Sequence, residues 1–169
     1  DRQGLWLGLS SSGILRAVPP GKYMEYYINE EVAHEEGRMI RSLCPYDGRY
    51  LLVGTMGGIY LFDTARKNYQ AFHSGFGHLF CTDIKRDRDG AFWCSTRQGL
   101  YKIQGNRVER ADQTLLPGIP SETVRFSLPL SDGCILVCMD LKDLYLCQPK
   151  KGQALRLNED FPELNRSVP

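Results

Sequence analysis

The sequence predicts an all-β fold: a β-propeller segment of about four blades, each a four-stranded antiparallel sheet. Two observations carry the prediction. First, one short pattern (a Gly, a hydrophobic strand, a small-residue turn, a second hydrophobic strand) occurs four times. Its key glycines, Gly4, Gly48, Gly90 and Gly133, stand 44, 42 and 43 residues apart. Second, the apolar residues inside each copy follow strand rather than helix spacing. A fixed period of roughly 40–45 residues built from strands is the mark of a propeller blade. The blades fall at approximately 1–38, 39–79, 80–123 and 124–169.

The elements follow in order within each copy. The innermost strands run at Met39 to Cys44, Phe80 to Lys85 and Val124 to Leu130; the first blade lacks one. The second strand follows the key Gly, as in Arg49 to Thr55 and Phe92 to Thr96. The third follows a tight turn, beginning at Gly13, Gly58, Gly99 and Asp143. Gly at that place takes positive φ without strain, and Asp tolerates the left-handed region better than most residues. The outer strands are polar and weak: Tyr23 to Ile28, Asn68 to Phe72, Arg107 to Arg110 and Ala154 to Leu157. That composition suits a blade rim in water. The loop from Ala111 to Thr123, rich in Pro and Gly, reads as an inter-blade connection. The Asp before each key Gly (Asp47, Asp89, Asp132) reads as a turn former.

A blade cannot bury its own faces. Four repeats without the first inner strand form an open arc. Its flanks are expected to be covered by remaining blades of a parent chain or by a second copy, as a homodimer. The sequence opens inside a repeat, so the natural N-terminus is expected elsewhere.

Composition excludes several classes. Net charge is +1, from 21 basic and 20 acidic side chains. That gives no footprint for nucleic acid and no membrane contact by this segment. The six cysteines, Cys44, Cys81, Cys94, Cys134, Cys138 and Cys147, show no paired metal-knuckle spacing. Five fall in predicted strands and Cys44 lies beside one, so they read as packed small hydrophobes. Asp87-Arg88-Asp89-Gly90 lacks the ligand set of a calcium loop. No metal and no cofactor are expected.

The motif Asp-x-x-Gly-x-(apolar)-Trp-(apolar)-Gly-Thr, followed by Gly-Leu-Tyr, resembles the two-component regulator propeller repeat. The third copy fits best, at Asp87, Gly90, Phe92, Trp93, Thr96, Gly99, Leu100 and Tyr101. The second keeps Gly48, Gly54, Thr55, Gly58, Ile59 and Tyr60. The first keeps Asp1, Gly4, Trp6, Gly8 and Gly13; the fourth keeps Gly133, Leu144 and Tyr145. The resemblance implies the periplasmic sensor region of a Bacteroidetes hybrid two-component histidine kinase. It implies seven-bladed propellers, a membrane-anchored parent, carbohydrate sensing and signal transduction. Kinase activity belongs to that parent, because the present sequence has no kinase His motif and no nucleotide loop.

Propellers bind through loops on one face. Candidate ligand residues are therefore His34 and Arg38 in the first connection, and His73 and His78 in the second. Arg41, Thr82 and Arg125 lie at matching places just inside three inner strands. An Arg there suits the carboxylate or sulfate of an acidic sugar; the plainer reading is an ion pair lining a wet channel. Trp6 and Trp93 read first as packing between blades. The reading is a ligand-sensing segment probing an oligosaccharide, without catalytic residues. The alternatives are a sialidase-like glycosidase, whose Tyr-Glu pair cannot be assigned here, and a purely structural scaffold for protein–protein interaction.

Overall fold

The computed structural model describes residues 5–10, 13–18, 23–28, 35–72, 78–105, 107–140 and 143–160. Four antiparallel sheets make up most of its regular structure. The first has β1 (Leu5–Gly8), β2 (Ile14–Val18) and β3 (Tyr23–Tyr27). The second has β4 (Ile40–Pro45), β5 (Tyr50–Thr55), β6 (Gly58–Asp63) and β7 (Asn68–Ala71). The third has β8 (Cys81–Arg86), β9 (Phe92–Thr96), β10 (Gly99–Gln104) and β11 (Arg107–Arg110). The fourth has β12 (Val124–Pro129), β13 (Ile135–Met139), β14 (Leu144–Gln148) and β15 (Gln153–Arg156). Every sheet is a meander in which sequence neighbours pair. This is the blade of a β-propeller.

The chain divides into two compact units, Asp1–Cys81 and Thr82–Pro169. In the first unit, register decides which side chains meet. Leu51 pairs with Phe62 and Phe62 with Tyr69, so the three share one face of the second sheet. That face packs on Ile14 of the first sheet, with Val53 and Ile40, into one buried core. Phe62 is wrapped by rings, with centroids 5.6 Å to Trp6, 5.3 Å to Tyr27 and 4.9 Å to Tyr69. In the second unit, Trp93 and Leu100 of the third sheet meet Ile135, Val137, Met139, Tyr145 and Cys147 of the fourth. Ser95 donates to or accepts from Ser127 at 3.0 Å within the same layer.

The turns between second and third strands show why the motif carries Thr and Gly. Thr55 Oγ1 donates to the Gly58 carbonyl at 2.9 Å and accepts the Gly57 N–H at 3.1 Å. Thr96 repeats this with Gly99 at 2.7 Å and the Gln98 N–H at 3.0 Å. Each buried hydroxyl thus satisfies two backbone groups. The fourth sheet departs. Asp143 does not enter the left-handed region, where Lys67 (φ 60°) is the sole non-Gly residue among those described. The turn is longer instead, and the Met139 N–H donates to the Asp143 carbonyl at 2.8 Å.

Two further expectations need correction. The Asp before the key Gly forms the turn at Asp47, which accepts the Arg49 and Tyr50 N–H groups, and at Asp132, which accepts the Cys134 N–H. In the third sheet Asp87 does this instead of Asp89, accepting the Asp89 and Ala91 N–H groups. The 111–123 segment does join the third sheet to the fourth; it opens with a helical turn, α1 (Ala111–Thr114), and buries Ala111, Leu116 and Ile119 in the core. Finally, Cys44 lies within β4, whereas Cys134 lies just outside β13. Cys44, Cys81, Cys94 and Cys147 are buried, and Cys134 and Cys138 are half-buried. Burial pushes the Cys147 thiol up to about 12, far from nucleophilic range.

Candidate functional site

The inner strands place the candidate arginines through a shared irregularity. The β4–β5 register shifts between Ile40 and Ser42, and the β12–β13 register shifts between Val124 and Phe126. Arg41 and Arg125 are the extra residues at these two bulges. A bulge bends the strand and re-aims the side chain; both side chains are exposed. Thr82 occupies the corresponding second place of β8.

The three positions then differ in what they touch. Arg125 donates from Nε to the Asp140 carboxylate, and both ends of this pair are exposed. Thr82 is half-buried and its hydroxyl donates to the Val124 carbonyl at 2.6 Å, tying the inner strand of the third sheet to that of the fourth. Arg41 has no ion pair among the described residues. Ile40 pairs with Thr55 as Val124 pairs with Met139. The next residue in the turn is therefore Met56 in one sheet and Asp140 in the other. Arg38 precedes β4 in a 3-10 turn and is half-buried, and its Nε is enclosed without a hydrogen-bond partner. His78 is exposed; His34 and His73 lie outside the described residues.

A second arrangement was not singled out from the sequence. Cross-strand register lines up Trp6, Arg16 and Glu25 in the first sheet, and Trp93, Lys102 and Glu109 in the third. In each row a cation lies over the indole, Arg16 at 5.3 Å and Lys102 at 5.3 Å from the ring centroids. Its signal was present as a cation on the third strand opposite each Trp, but it emerges only once the hairpin register is known. Each row borders a groove closed by the turns of the following sheet. One, of about 850 Å³, is lined by Trp6, Arg16, Asp47, Arg49 and Tyr50. The other, of about 410 Å³, is lined by Trp93, Lys102, Asp87, Arg88 and Lys150.

The two rows differ chemically. Trp93 is 1% exposed and its indole N–H donates to Asp87 at 2.9 Å, so it offers no face for stacking. Trp6 is half-buried, with Lys67 Nζ a further 5.0 Å from its ring. Glu25 accepts from Tyr27 at 2.7 Å and Arg16 at 3.2 Å, and these hold its carboxyl below the usual range. Burial, with the bond to Glu25, pushes the Tyr27 phenol up to about 12. The charges at Arg16 and Glu25 therefore largely satisfy each other. Among the described residues no group of three or more His, Cys, Asp or Glu side chains is placed to hold a metal ion. No described helix is long and apolar enough to cross a membrane.

No protein-family model and no curated protein matches this sequence. Solved structures do. Against the extracellular domain of BT4673, assigned as a hybrid two-component system of B. thetaiotaomicron, the TM-score is 0.76 at 19% identity, over 93% of this chain and 20% of that one. Against the extracellular domain of BT3049, assigned likewise, it is 0.68 at 18% identity, over 88% and 19%. YCF48 bound to D1 peptide gives 0.62 at 9% identity, over 92% and 50%. The chain thus spans about a fifth of the two B. thetaiotaomicron domains. At these identities the likeness is one of fold.

Proposed function

We propose that this chain is a ligand-recognising section of the propeller in the periplasmic, extracytoplasmic part of a bacterial two-component sensor. In this reading it detects an oligosaccharide, and a histidine kinase in the parent chain receives the signal across the membrane. The observation that carries the reading is the pairing of motif and fold. Four in-phase copies of the regulator-propeller repeat form blades like those in the extracellular domain of BT4673, at a TM-score of 0.76. The segment recognises rather than catalyses, with further blades of the same chain as its immediate partners. Exposed, re-aimed polar side chains at the bulges are the kind of variable site a fixed apolar skeleton carries.

A peptide-holding scaffold is the second reading, supported by the likeness to YCF48, a propeller solved with a bound peptide. The intact protein, incubated with a panel of neutral and acidic oligosaccharides, separates the readings. A rise in melting temperature with no sugar product on chromatography is the expected result. Hydrolysis products overturn the recognition reading in favour of a glycosidase, and no shift with any sugar overturns it in favour of the scaffold.

A further inference from the structure

Resting on the recognition reading, we infer that the groove between the first and second sheets is a binding site for a neutral saccharide. The argument begins from two grooves at equivalent places in the repeat. Pro45 pairs with Leu51 as Pro129 pairs with Ile135, and Leu51 pairs with Phe62 as Ile135 pairs with Cys147. This register makes Tyr50, Thr64 and Ala65 the counterparts of Cys134, Pro149 and Lys150. The groove beside Trp93 is lined by the latter three and holds about 410 Å³. The groove beside Trp6 has a phenol, a hydroxyl and a methyl group in their places and holds about 850 Å³. The strands match while the lining has changed, as in a site grafted on a fixed skeleton. Gly48 adds an independent sign. Gly90 and Gly133 each stand at φ +85°, where a side chain is strained; Gly48 lies outside that region, and a Cβ on it would meet nothing within 4 Å. Neither backbone nor neighbours demand a glycine there, and its missing side chain keeps the groove wall open.

The lining decides the kind of ligand. Its two cations are already paired, Arg16 with Glu25 at 3.2 Å and Arg49 with Asp63 through Nε and Nη2. Each guanidinium also lies over a ring, Arg16 over Trp6 and Arg49 at 5.2 Å from the Tyr50 centroid. Both are thus held in place before any ligand arrives, which lowers the ordering cost of binding. The polar groups left over are single donors and acceptors. Arg49 Nη1 takes no part in the Asp63 fork, and its side chain is 45% exposed. Asp47 uses Oδ1 for the Arg49 and Tyr50 N–H groups, which leaves Oδ2. Thr64 Oγ1 donates to the Arg49 carbonyl at 2.6 Å and can still accept. An anion would gain little from paired cations and would face Asp47, while an apolar ligand would strand these groups. A sugar hydroxyl donates and accepts at once. It suits Asp47 and Arg49 together, with the C–H surface of the sugar against Pro45, Tyr50 and Trp6.

The test is calorimetric titration of the intact protein with cellotriose, xylotriose and galactotriose, and with trigalacturonate as the acidic probe. It is run on wild type, Gly48→Leu, Tyr50→Ala and Lys150→Leu. At least one neutral trisaccharide should bind the wild type. Gly48→Leu fills the groove and Tyr50→Ala removes part of its wall, so each should weaken binding about tenfold or more. The melting temperature of Gly48→Leu should stay that of wild type. Lys150→Leu, in the counterpart groove, should leave the affinity unchanged. Should Tyr50→Ala fail to fold, Gly48→Leu decides alone. An unchanged affinity in Gly48→Leu, or an equal loss in Lys150→Leu, overturns the site and leaves the recognition reading standing. Tighter binding of trigalacturonate than of every neutral sugar overturns it as well. Binding of no sugar overturns the site and the recognition reading together.

Discussion

Trp93 is enclosed on every side: the fourth sheet covers its ring, Lys102 lies over it, and Asp87 takes its N–H. Trp93→Ala should cost about 3–5 kcal/mol in denaturant unfolding, the range for large core truncations. Trp93→Phe should cost less, losing the Asp87 bond but keeping most of the burial. A melting point for Trp93→Ala within error of wild type would show that the ring does not hold the two sheets together. The glycines make a sharper contrast. Gly99 has φ +125°, and a Cβ there would lie 2.7 Å from the Asp112 carboxylate. That carboxylate is buried and faces Arg110 Nε at 3.3 Å. Gly48 has nothing within 4 Å of such a Cβ. Gly99→Ala should therefore destabilise by about 1–3 kcal/mol, while Gly48→Ala should stay within about 0.5 kcal/mol. Both glycines stand out in the repeat, yet only the structure ranks them. The clash comes from Asp112, which lies in a connection whose sequence gives no sign of burial.

The β6–β7 turn rests on one carboxylate. Asp63 receives Arg49 Nε at 3.0 Å and Nη2 at 2.5 Å, and the Ala65 and Arg66 N–H groups at 2.9 and 3.0 Å. The Arg49 guanidinium holds its carboxyl well below the usual range, helped by those N–H donors. A depressed pKa contributes stability above the unfolded value of about 3.9 and loses it as pH falls toward the folded value. The stability gap between wild type and Asp63→Asn should thus be full at neutral pH and close between about pH 4 and 2. A gap independent of pH would show that Asp63 acts as a neutral turn former only. At this scale most of the fold was legible. Alternating apolar residues around a turn place β5, β6, β9 and β10 within a residue or so, because strand period and turn chemistry are both local. The burial of Ala111, Leu116 and Ile119 was not, because Pro and Gly at 117, 118 and 120 mask three apolar anchors spaced across a turn. The bulges at Arg41 and Arg125 were legible as one repeated position. The loss of a counter-ion at one of them was not, since it depends on which turn residue follows a particular cross-strand pair.

Each terminal sheet has two unlike faces. In the first, Leu5 pairs with Ala17 and Ala17 with Met24, while Leu7 pairs with Leu15 and Leu15 with Tyr26. This face is apolar and open, with Leu5 at 62% and Met24 at 78% exposure. In the fourth, Leu128 pairs with Leu136, Leu136 with Leu146 and Leu146 with Leu155. Leu155 is 53% exposed there, and the opposite face is core. These apolar rows, three strands wide in the first sheet and four in the fourth, are what a covering surface would bury. In a larger propeller each would lie against a further blade, as the third sheet lies against the fourth. The central claim is therefore that these are blades of a larger assembly. Light scattering of the isolated 169-residue chain at micromolar concentration tests it most directly. The account predicts association or aggregation. A stable, monodisperse monomer would contradict it.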